Sequence, residues 1–390
     1  THGHEFIEDA VDRGASGAIV EEKQPIDLPQ FVSDDSARAL QTMARIYRDR
    51  VVDPYVIGVT GSCGKTTLKT MLADVLETNH TVGRTPGNFN NQLGVPLTIL
   101  NEADNEILVA EVATNAPGEI GQLSRWVKPD MGIITHIGPA HLQGLESVEK
   151  VAREKSDLLA ELSEDGIALV PEWLRCRQTI VRKSAVLPRS VGDVGSLEWE
   201  TFDQTALLRV EETDVNLDFG ATGLVRDAVL AAAAGLMLGV APEQIKNSLE
   251  SFEPLSGRGE TREIDGTKVI DGTYNANPDS MRDALDRLAG FPPPRLAVLG
   301  DMKELGDSAE QYHRDLASYA SDLDGVDLVY VGSFEPAFRE GLENHTGRYR
   351  GVSDVQELNG VSFGDYRSVL LKASRAVGLD QLLNRWTDQS

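Results

Sequence analysis

Gly58-Val59-Thr60-Gly61-Ser62-Cys63-Gly64-Lys65-Thr66-Thr67 follows the apolar run Tyr55-Val56-Ile57 and precedes Leu68, Met71, Leu72, Val75 and Leu76 at helical spacing. A strand, a glycine-rich turn and a helix start, in that order, form the setting of a phosphate-binding loop. Successive backbone N–H groups and the helix N-terminus present partial positive charge to phosphate oxygens, and glycine allows close approach. In this reading Thr60, Gly61, Ser62, Cys63, Gly64 and Thr67 surround a nucleotide's phosphates. Lys65 reaches the β- and γ-phosphates, and the Thr66 hydroxyl binds Mg²⁺. The frame departs from GxxxxGK[ST]: its first glycine would fall at Val59, whereas the chain offers Gly58 and Gly61. The plainer alternative is a strand–helix turn with a capping threonine.

The pattern continues outward as strand, loop, helix. Ile107–Val112 and Gly132–Thr135 read as further strands ending in polar loops, which predicts a parallel sheet in an α/β fold. Upstream, residues 5–20 predict a short helix and an Ala18–Val20 strand. Leu40, Met43, Ala44 and Tyr47 predict a helix over 36–48 capped by Ser36. Residues 186–220 alternate in short Thr/Val/Leu-rich pieces and predict an antiparallel flap. Helices are predicted from Asp227 to Leu238 and after Pro242. Lys268–Asp271, Leu296–Leu299, Leu328–Val331 and Val369–Leu371 then predict a second α/β unit. Boundaries near 49 and 255 divide the chain into 1–48, 49–255 and 256–390.

The 390 residues carry 62 acidic and 37 basic side chains, a formal net charge of −25. Such a surface repels phosphate backbones and anionic membranes, which argues against broad nucleic-acid binding. No run of about 18 apolar residues is present, so no membrane span is expected. The opening THGHEF has no basic and apolar leader, and two cysteines, Cys63 and Cys176, are too few for a disulfide scaffold. A cytoplasmic, monomeric protein is expected.

The TGSxGKTT variant, with several later stretches, resembles the Mur ligases, the ATP-dependent amide-forming enzymes of peptidoglycan synthesis. Thr85-Pro86-Gly87-Asn88-Phe89-Asn90-Asn91-Gln92-Leu93-Gly94 and Asn115-Ala116-Pro117-Gly118-Glu119-Ile120 are similar to signatures of the branch that adds D-alanyl-D-alanine. So are Asp271 to Met281, ending YNANPDSM, and Gly300-Asp301-Met302-Lys303-Glu304-Leu305-Gly306. The resemblance implies a three-domain architecture: a truncated N-terminal UDP-substrate domain, a central P-loop domain and a C-terminal Rossmann-like domain. It implies ATP and Mg²⁺ as cofactors, and UDP-N-acetylmuramoyl-tripeptide and D-alanyl-D-alanine as substrates joined through an acyl phosphate.

Glu111 closes the strand beside the loop, where a carboxylate can hold Mg²⁺ directly or through water, or simply face solvent. If 147–162 is one helix, Lys155 falls within the apolar stripe of Val148, Val151, Ala152, Leu159 and Leu162. It then snorkels, sits by a phosphate or is chemically altered. The resemblance implies carbamylation of Lys155, a second Mg²⁺ held with His141, and a γ-phosphate contact from Arg258. It also implies a ribose contact from Asp271, a nucleotide contact from Asn275, and substrate contacts from Asn88, Asn90, Asn91, Asn115, Asp301 and Glu304. Lys372, Ser374 and Arg375 resemble a segment near the incoming dipeptide. Asn277 alternatively caps the helix starting at Pro278. The chain departs from the family pattern at Cys63, at Gln92 and at Asp227, where an acid stands near the expected phosphates. Rival readings are a folylpolyglutamate synthase-like ligase, a nucleotide-hydrolysing switch and a catalytically weak nucleotide-binding fragment.

Overall fold

The computed structural model describes residues 3–171, 174, 189–190, 197–202, 205–358 and 363–387; Cys176 and parts of the 186–220 segment lie outside them. The chain opens with helix α1 (Ile7–Asp12), strands β1 (Ala18–Val20) and β2 (Gln30–Val32), which pair in parallel, and helix α2 (Ser36–Arg50). The cap of α2 is Asp35 rather than Ser36. Asp35 has extended backbone and its Oδ1 accepts the Arg38 N–H at 2.8 Å, while Ser36 already lies in the helix.

The first large sheet contains β3 (Tyr55–Thr60), β4 (Val82–Arg84), β5 (Ile107–Glu111), β6 (Met131–Ile134), β7 (Ile167–Val170) and β8 (Arg189–Ser190). Its order is β4-β5-β3-β6-β7-β8, and every pairing is parallel. Alternate side chains leave opposite faces of a strand. Ile57, Val59 and Val109 pack under α3 (Lys65–Leu76), whereas Val56, Leu108 and Ala110 pack against α2, α4 (Gly94–Glu102) and α5 (Glu119–Val127). Both faces are covered, which is why these strands read as continuous apolar runs. The chain leaves β3 toward β4 and β5 on one side and reaches β6 on the other. The loop after β3 therefore opens at the point where strand order reverses, where open α/β sheets bind ligands.

Helices α6 (Leu142–Leu145), α7 (Val148–Lys155) and α8 (Asp157–Ala160) follow β6. The single helix expected over 147–162 is interrupted at Ser156, whose hydroxyl donates back to the Ala152 carbonyl at 2.6 Å. The expected flap is an antiparallel three-stranded sheet of β9 (Leu197–Phe202), β10 (Thr205–Val210) and β11 (Thr213–Leu217). Helix α9 (Thr222–Met237) begins five residues before the expected Asp227 and packs its buried alanines against α3; α10 (Pro242–Glu250) follows.

The second large sheet has the order β12-β13-β17-β14-β15-β16. It comprises β12 (Glu260–Ile264), β13 (Thr267–Gly272), β14 (Arg295–Gly300), β15 (Val326–Val331), β16 (Tyr349–Val352) and β17 (Ser368–Lys372). Only the β12–β13 pairing is antiparallel. Helices α11 (Pro278–Ala289) and α12 (Ala309–Ser321) cover one face, α13 (Glu335–Glu340) packs beside α12, and α14 (Leu379–Thr387) covers the other face. One apolar cluster crosses between the units. It joins Ile134, Ile137, Leu142 and Leu145 of the first to Ile270, Ala276, Met281 and Leu305 of the second. No helix among the described residues is long and apolar enough to cross a membrane.

Candidate active site

The loop after β3 is built as a cradle. Gly64 has φ +82°, and a Cβ there would stand 2.5 Å from Asp227 Oδ1. A Cβ on Gly61 would stand 1.8 Å from Thr135 Oγ1, so only glycine fits at either position. The Thr135 hydroxyl donates to the Cys63 carbonyl, and Ser62 N–H donates to the His136 carbonyl at 2.8 Å. Lys65 Nζ folds back to the Gly61 carbonyl at 2.8 Å, and burial pushes its pKa down. Thr66 and Thr67 are buried in the first turn of α3. Thr60 does not reach the ligand side: its side chain is fully buried, and the cavity wall begins at Ser62. Burial also pushes the Cys63 thiol up to about 12, so the family's departure at this position brings no thiolate to the loop.

Sheet register sets Glu111 beside Val59, one residue from the end of β3. The Glu111 carboxylate is 1% exposed, accepts from Asn90 Nδ2 at 2.7 Å and stands 3.4 Å from Lys69 Nζ. Its Oε2 accepts no hydrogen bond among the described residues. Lys69 went unnoticed in the sequence. It lies one turn beyond Lys65, donates to the carbonyls of Thr85 and Gly87 at 2.7 and 2.9 Å, and so ties α3 to the asparagine-rich stretch. Its signal was a lysine between the apolar Leu68 and Leu72.

Lys155 ends α7 and is wholly buried, with no hydrogen-bond partner for Nζ among the described residues. Burial, with the nearby Lys65, holds its pKa well below the usual lysine range. His141 has φ +54°, and its Nδ1 lies 2.6 Å from Glu304 Oε2. The hydrogen bond to His141 lowers the Glu304 pKa. Among the described residues no three His, Cys, Asp or Glu side chains form a ready metal cage.

The loop residues Ser62 to Thr67, with Glu111, His141 and Glu304, line one cavity of about 630 Å³ between the two units; Lys69 and Lys155 lie behind its wall. Asn88, Asn90, Asn91 and Asn115 lie on its wall, although Asn91 Oδ1 is engaged by the Gly94 N–H at 2.9 Å. From the second unit, the Arg258 guanidinium lies 3.8 Å from the Tyr274 ring centroid. Asn275, Glu304 and Lys372 also line the cavity. Asn277 caps α11 through Ser280 N–H at 2.9 Å, and its Nδ2 donates to the Ser62 carbonyl at 3.2 Å, bridging to the phosphate loop. His136 and Asp279 form a second bridge at 2.7 Å.

Two expected ligand contacts also have framework roles. Asp271 is 2% exposed, and its carboxylate accepts from Gly257 N–H at 2.9 Å, Thr273 N–H at 3.1 Å and Thr273 Oγ1 at 2.7 Å. It shapes the turns beside the cavity, with Oδ1 taking both Thr273 donors and Oδ2 taking the Gly257 N–H. Asp301 is equally buried and accepts from Lys303 Nζ, Tyr330 Oη, Ser333 and the Phe334 N–H. Burial pushes its carboxyl up, but these donors outweigh that and bring it down to about 2.

The Mur ligase middle domain matches residues 59–204, and the Mur ligase glutamate ligase domain matches residues 257–364. The UDP-N-acetylmuramoyl-tripeptide–D-alanyl-D-alanine ligase of Bacillus subtilis is 34% identical, covering 98% of this chain and 87% of its own. That of Haemophilus influenzae is 31% identical over 84% of this chain and 74% of its own. A MurF crystal structure from Acinetobacter baumannii superimposes with TM-score 0.86 at 31% identity, covering 99% and 88% of the two chains. MurF ligase from Thermotoga maritima in complex with ADP gives 0.81 at 29%, covering 99% and 92%. Escherichia coli FolC shares the fold alone, at 16% identity and TM-score 0.67 over 91% and 92%. With two domain matches in the family's order, relatives above 30% identity along almost the whole chain, and the phosphate loop facing a second α/β unit, the protein belongs to the Mur ligase family, in the branch of the UDP-N-acetylmuramoyl-tripeptide–D-alanyl-D-alanine ligases.

Proposed function

We propose that the protein uses ATP to join UDP-N-acetylmuramoyl-tripeptide to D-alanyl-D-alanine in the cytoplasm, acting as a monomer with domains at 1–48, 49–255 and 256–390. The observation that carries this reading is the single cavity into which the phosphate loop, Glu111 and the second unit's Arg258 and Glu304 all converge. A carboxylate lacks a leaving group for amide formation. Its oxygen attacks the γ-phosphorus, ADP leaves, and the resulting acyl phosphate is attacked by the dipeptide amine. The C–O bond to phosphate then breaks and the amine gives up a proton.

The protein's task is to hold anions together and keep water out. Lys65 leaves the Gly61 carbonyl for the β- and γ-phosphate oxygens, and the loop N–H groups of Ser62, Cys63, Gly64, Thr66 and Thr67 bind the rest of the chain. Arg258 reaches the γ-phosphate, and Asn275 contacts the nucleotide. Asn88, Asn90, Asn91, Asn115 and Glu304 orient the substrates. Mg²⁺, when bound, supplies charge neutralisation between the reacting oxygens. Thr66, Glu111, His141 and Lys155 would hold it: Glu111 Oε2, which accepts no hydrogen bond among the described residues and stands 3.4 Å from Lys69 Nζ, and the buried amine of Lys155, which has no hydrogen-bond partner among them, both fit that role. A buried neutral amine reacts with CO₂ to give a carbamate and a proton, which turns Lys155 into an anionic ligand. The crossing bonds from Asn277 and Asp279 bring the second unit over the loop and exclude water.

An ADP-release assay tests the proposal. Release that requires both UDP-tripeptide and D-alanyl-D-alanine is the expected result. Release driven equally by glutamate and a folate, or by nucleotide alone, would refute it.

A further inference from the structure

Glu154 is the last residue but one of α7 and is only 5% exposed. Its carboxylate turns away from the cavity toward the start of α5. There Oε2 accepts the Gly118 N–H at 2.7 Å and Oε1 accepts the Ile120 N–H at 2.9 Å. Amides at a helix N-terminus have no partner within the helix. Gly118, with φ +86°, stands at the cap position of α5 and has no side chain to supply one. Glu154, 34 to 36 residues away in sequence, satisfies two of these amides instead. Bonds from N–H groups to an ionised carboxylate are among the strong ones, and the positive end of the helix favours the charge.

The loop leading into α5 carries Asn115, which is exposed and lines the cavity. From within its own turn, Glu119 Oε2 accepts the Asn115 and Ala116 N–H groups at 2.7 and 3.1 Å. Behind it lies α6, which starts directly after His141: a Cβ on Gly144 would stand 2.4 Å from the Asn115 carbonyl oxygen. The loop is therefore wedged against α6, tied by Glu119 and fastened through α5 to Glu154. Successive residues leave a helix about 100° apart, so Glu154 and Lys155 reach different neighbours. Glu154 holds α5, while Lys155 points to the side where Lys65 lies near enough to act on its charge. One turn of α7 thus connects the Asn115 loop to the buried amine.

We propose that Glu154 is a positioning residue for the ligation: it holds the Asn115 loop at a fixed distance from the helix end that carries Lys155, so that a substrate gripped by Asn115 is set in register with the reacting groups. Glu154 is absent from the cavity wall and acts only through the two amides. The proposal rests on the ligase reading for the identity of that substrate, UDP-N-acetylmuramoyl-tripeptide. The phosphate loop takes its own bonds from Thr135 and His136, so loss of Glu154 loosens the substrate side and leaves the nucleotide side in place.

Glu154→Ala should lower kcat/KM for UDP-tripeptide by about 10- to 100-fold, the scale on which a small misplacement acts, with ADP affinity in calorimetry held within about two-fold. Glu154→Gln keeps one acceptor oxygen and turns an NH₂ group toward the other amide, so its loss should be smaller. The double variant with Asn115→Ala separates positioning from mere support of the fold. A residue that acts through Asn115 adds less than about two-fold to the loss from Asn115→Ala alone, because coupled residues are not additive. Losses that multiply, an ADP affinity that falls in step, or a kcat/KM within two-fold of the parent protein would each overturn the proposal. Should Glu154→Ala not fold, Glu154→Gln carries the same comparisons. Hydrogen exchange without any substrate gives a second arm. The Gly118 and Ile120 amides should exchange about ten-fold or more faster in Glu154→Gln than in the parent, and equal rates would overturn the proposal. The exchange arm stands even if no substrate pair stimulates turnover, so failure of the ligase reading is told apart from failure of this one.

Discussion

Replacing Lys155 by methionine separates what the amine does to the fold from what it does in the reaction. Lys155 is wholly buried, and its Nζ has no hydrogen bond among the described residues. An unsatisfied buried polar group costs about 1–3 kcal/mol, whereas methionine offers a flexible apolar chain that fills the same space. In buffer free of CO₂ and metal, Lys155→Met should therefore raise the unfolding free energy by about 1–3 kcal/mol. For a cooperative unit of 150–250 residues, that is about 2–4 °C in Tm for each kcal/mol. Turnover should fall by about 100-fold or more, the scale on which loss of one transition-state charge contact acts. Scanning calorimetry and ADP release give the two numbers on one preparation. Added bicarbonate should raise Tm and activity of the parent protein and leave the variant unmoved, and ¹³C-bicarbonate should add a carbamate signal only to the parent. A variant less stable than its parent in CO₂-free buffer would refute the stability argument. A variant with full turnover would remove Lys155 from the reaction.

Asn277→Ala removes both a helix cap and the bond to the Ser62 carbonyl; it should cost about 1 kcal/mol or somewhat more in denaturant unfolding and lower kcat. Gly64→Ala places a Cβ 2.5 Å from Asp227 Oδ1 on backbone with φ +82°, so ADP affinity by calorimetry should drop by about ten-fold or more. Asp301 makes a pH prediction. Its folded pKa of about 2 lies below the ordinary 3.8, so its stabilisation is present above the ordinary value and is lost as pH falls through about 2. Acid unfolding followed between pH 5 and 1.5 should show that loss in the parent protein, and an Asp301→Asn variant should be less stable at pH 7 with a flatter acid limb.

The phosphate loop and the strand–helix alternation were legible in the sequence because they are local. Glycines at 61 and 64 and the apolar runs of β3, β5 and β6 carry their structural meaning within a few residues. Its place at a strand end beside the loop brought Glu111 to attention, motif resemblance brought His141, Asn275 and Glu304, and all four line one cavity. What a carboxylate at a strand end does was not legible. Glu111, Asp271 and Asp301 occupy similar places after apolar strands, yet only Glu111 keeps an oxygen without a hydrogen bond, because Thr273, Ser333 and Tyr330 take up the other two. The break at Ser156 was hidden in an unbroken helical stripe, since a hydroxyl competing for a carbonyl leaves no mark on periodicity. Lys69 looks like an ordinary lysine in the chain, and only the fold buries its amine. Local backbone preference and periodic burial determine which elements form. Whether a polar atom is left over for chemistry depends on donors far away in sequence, and packing alone brings those into reach.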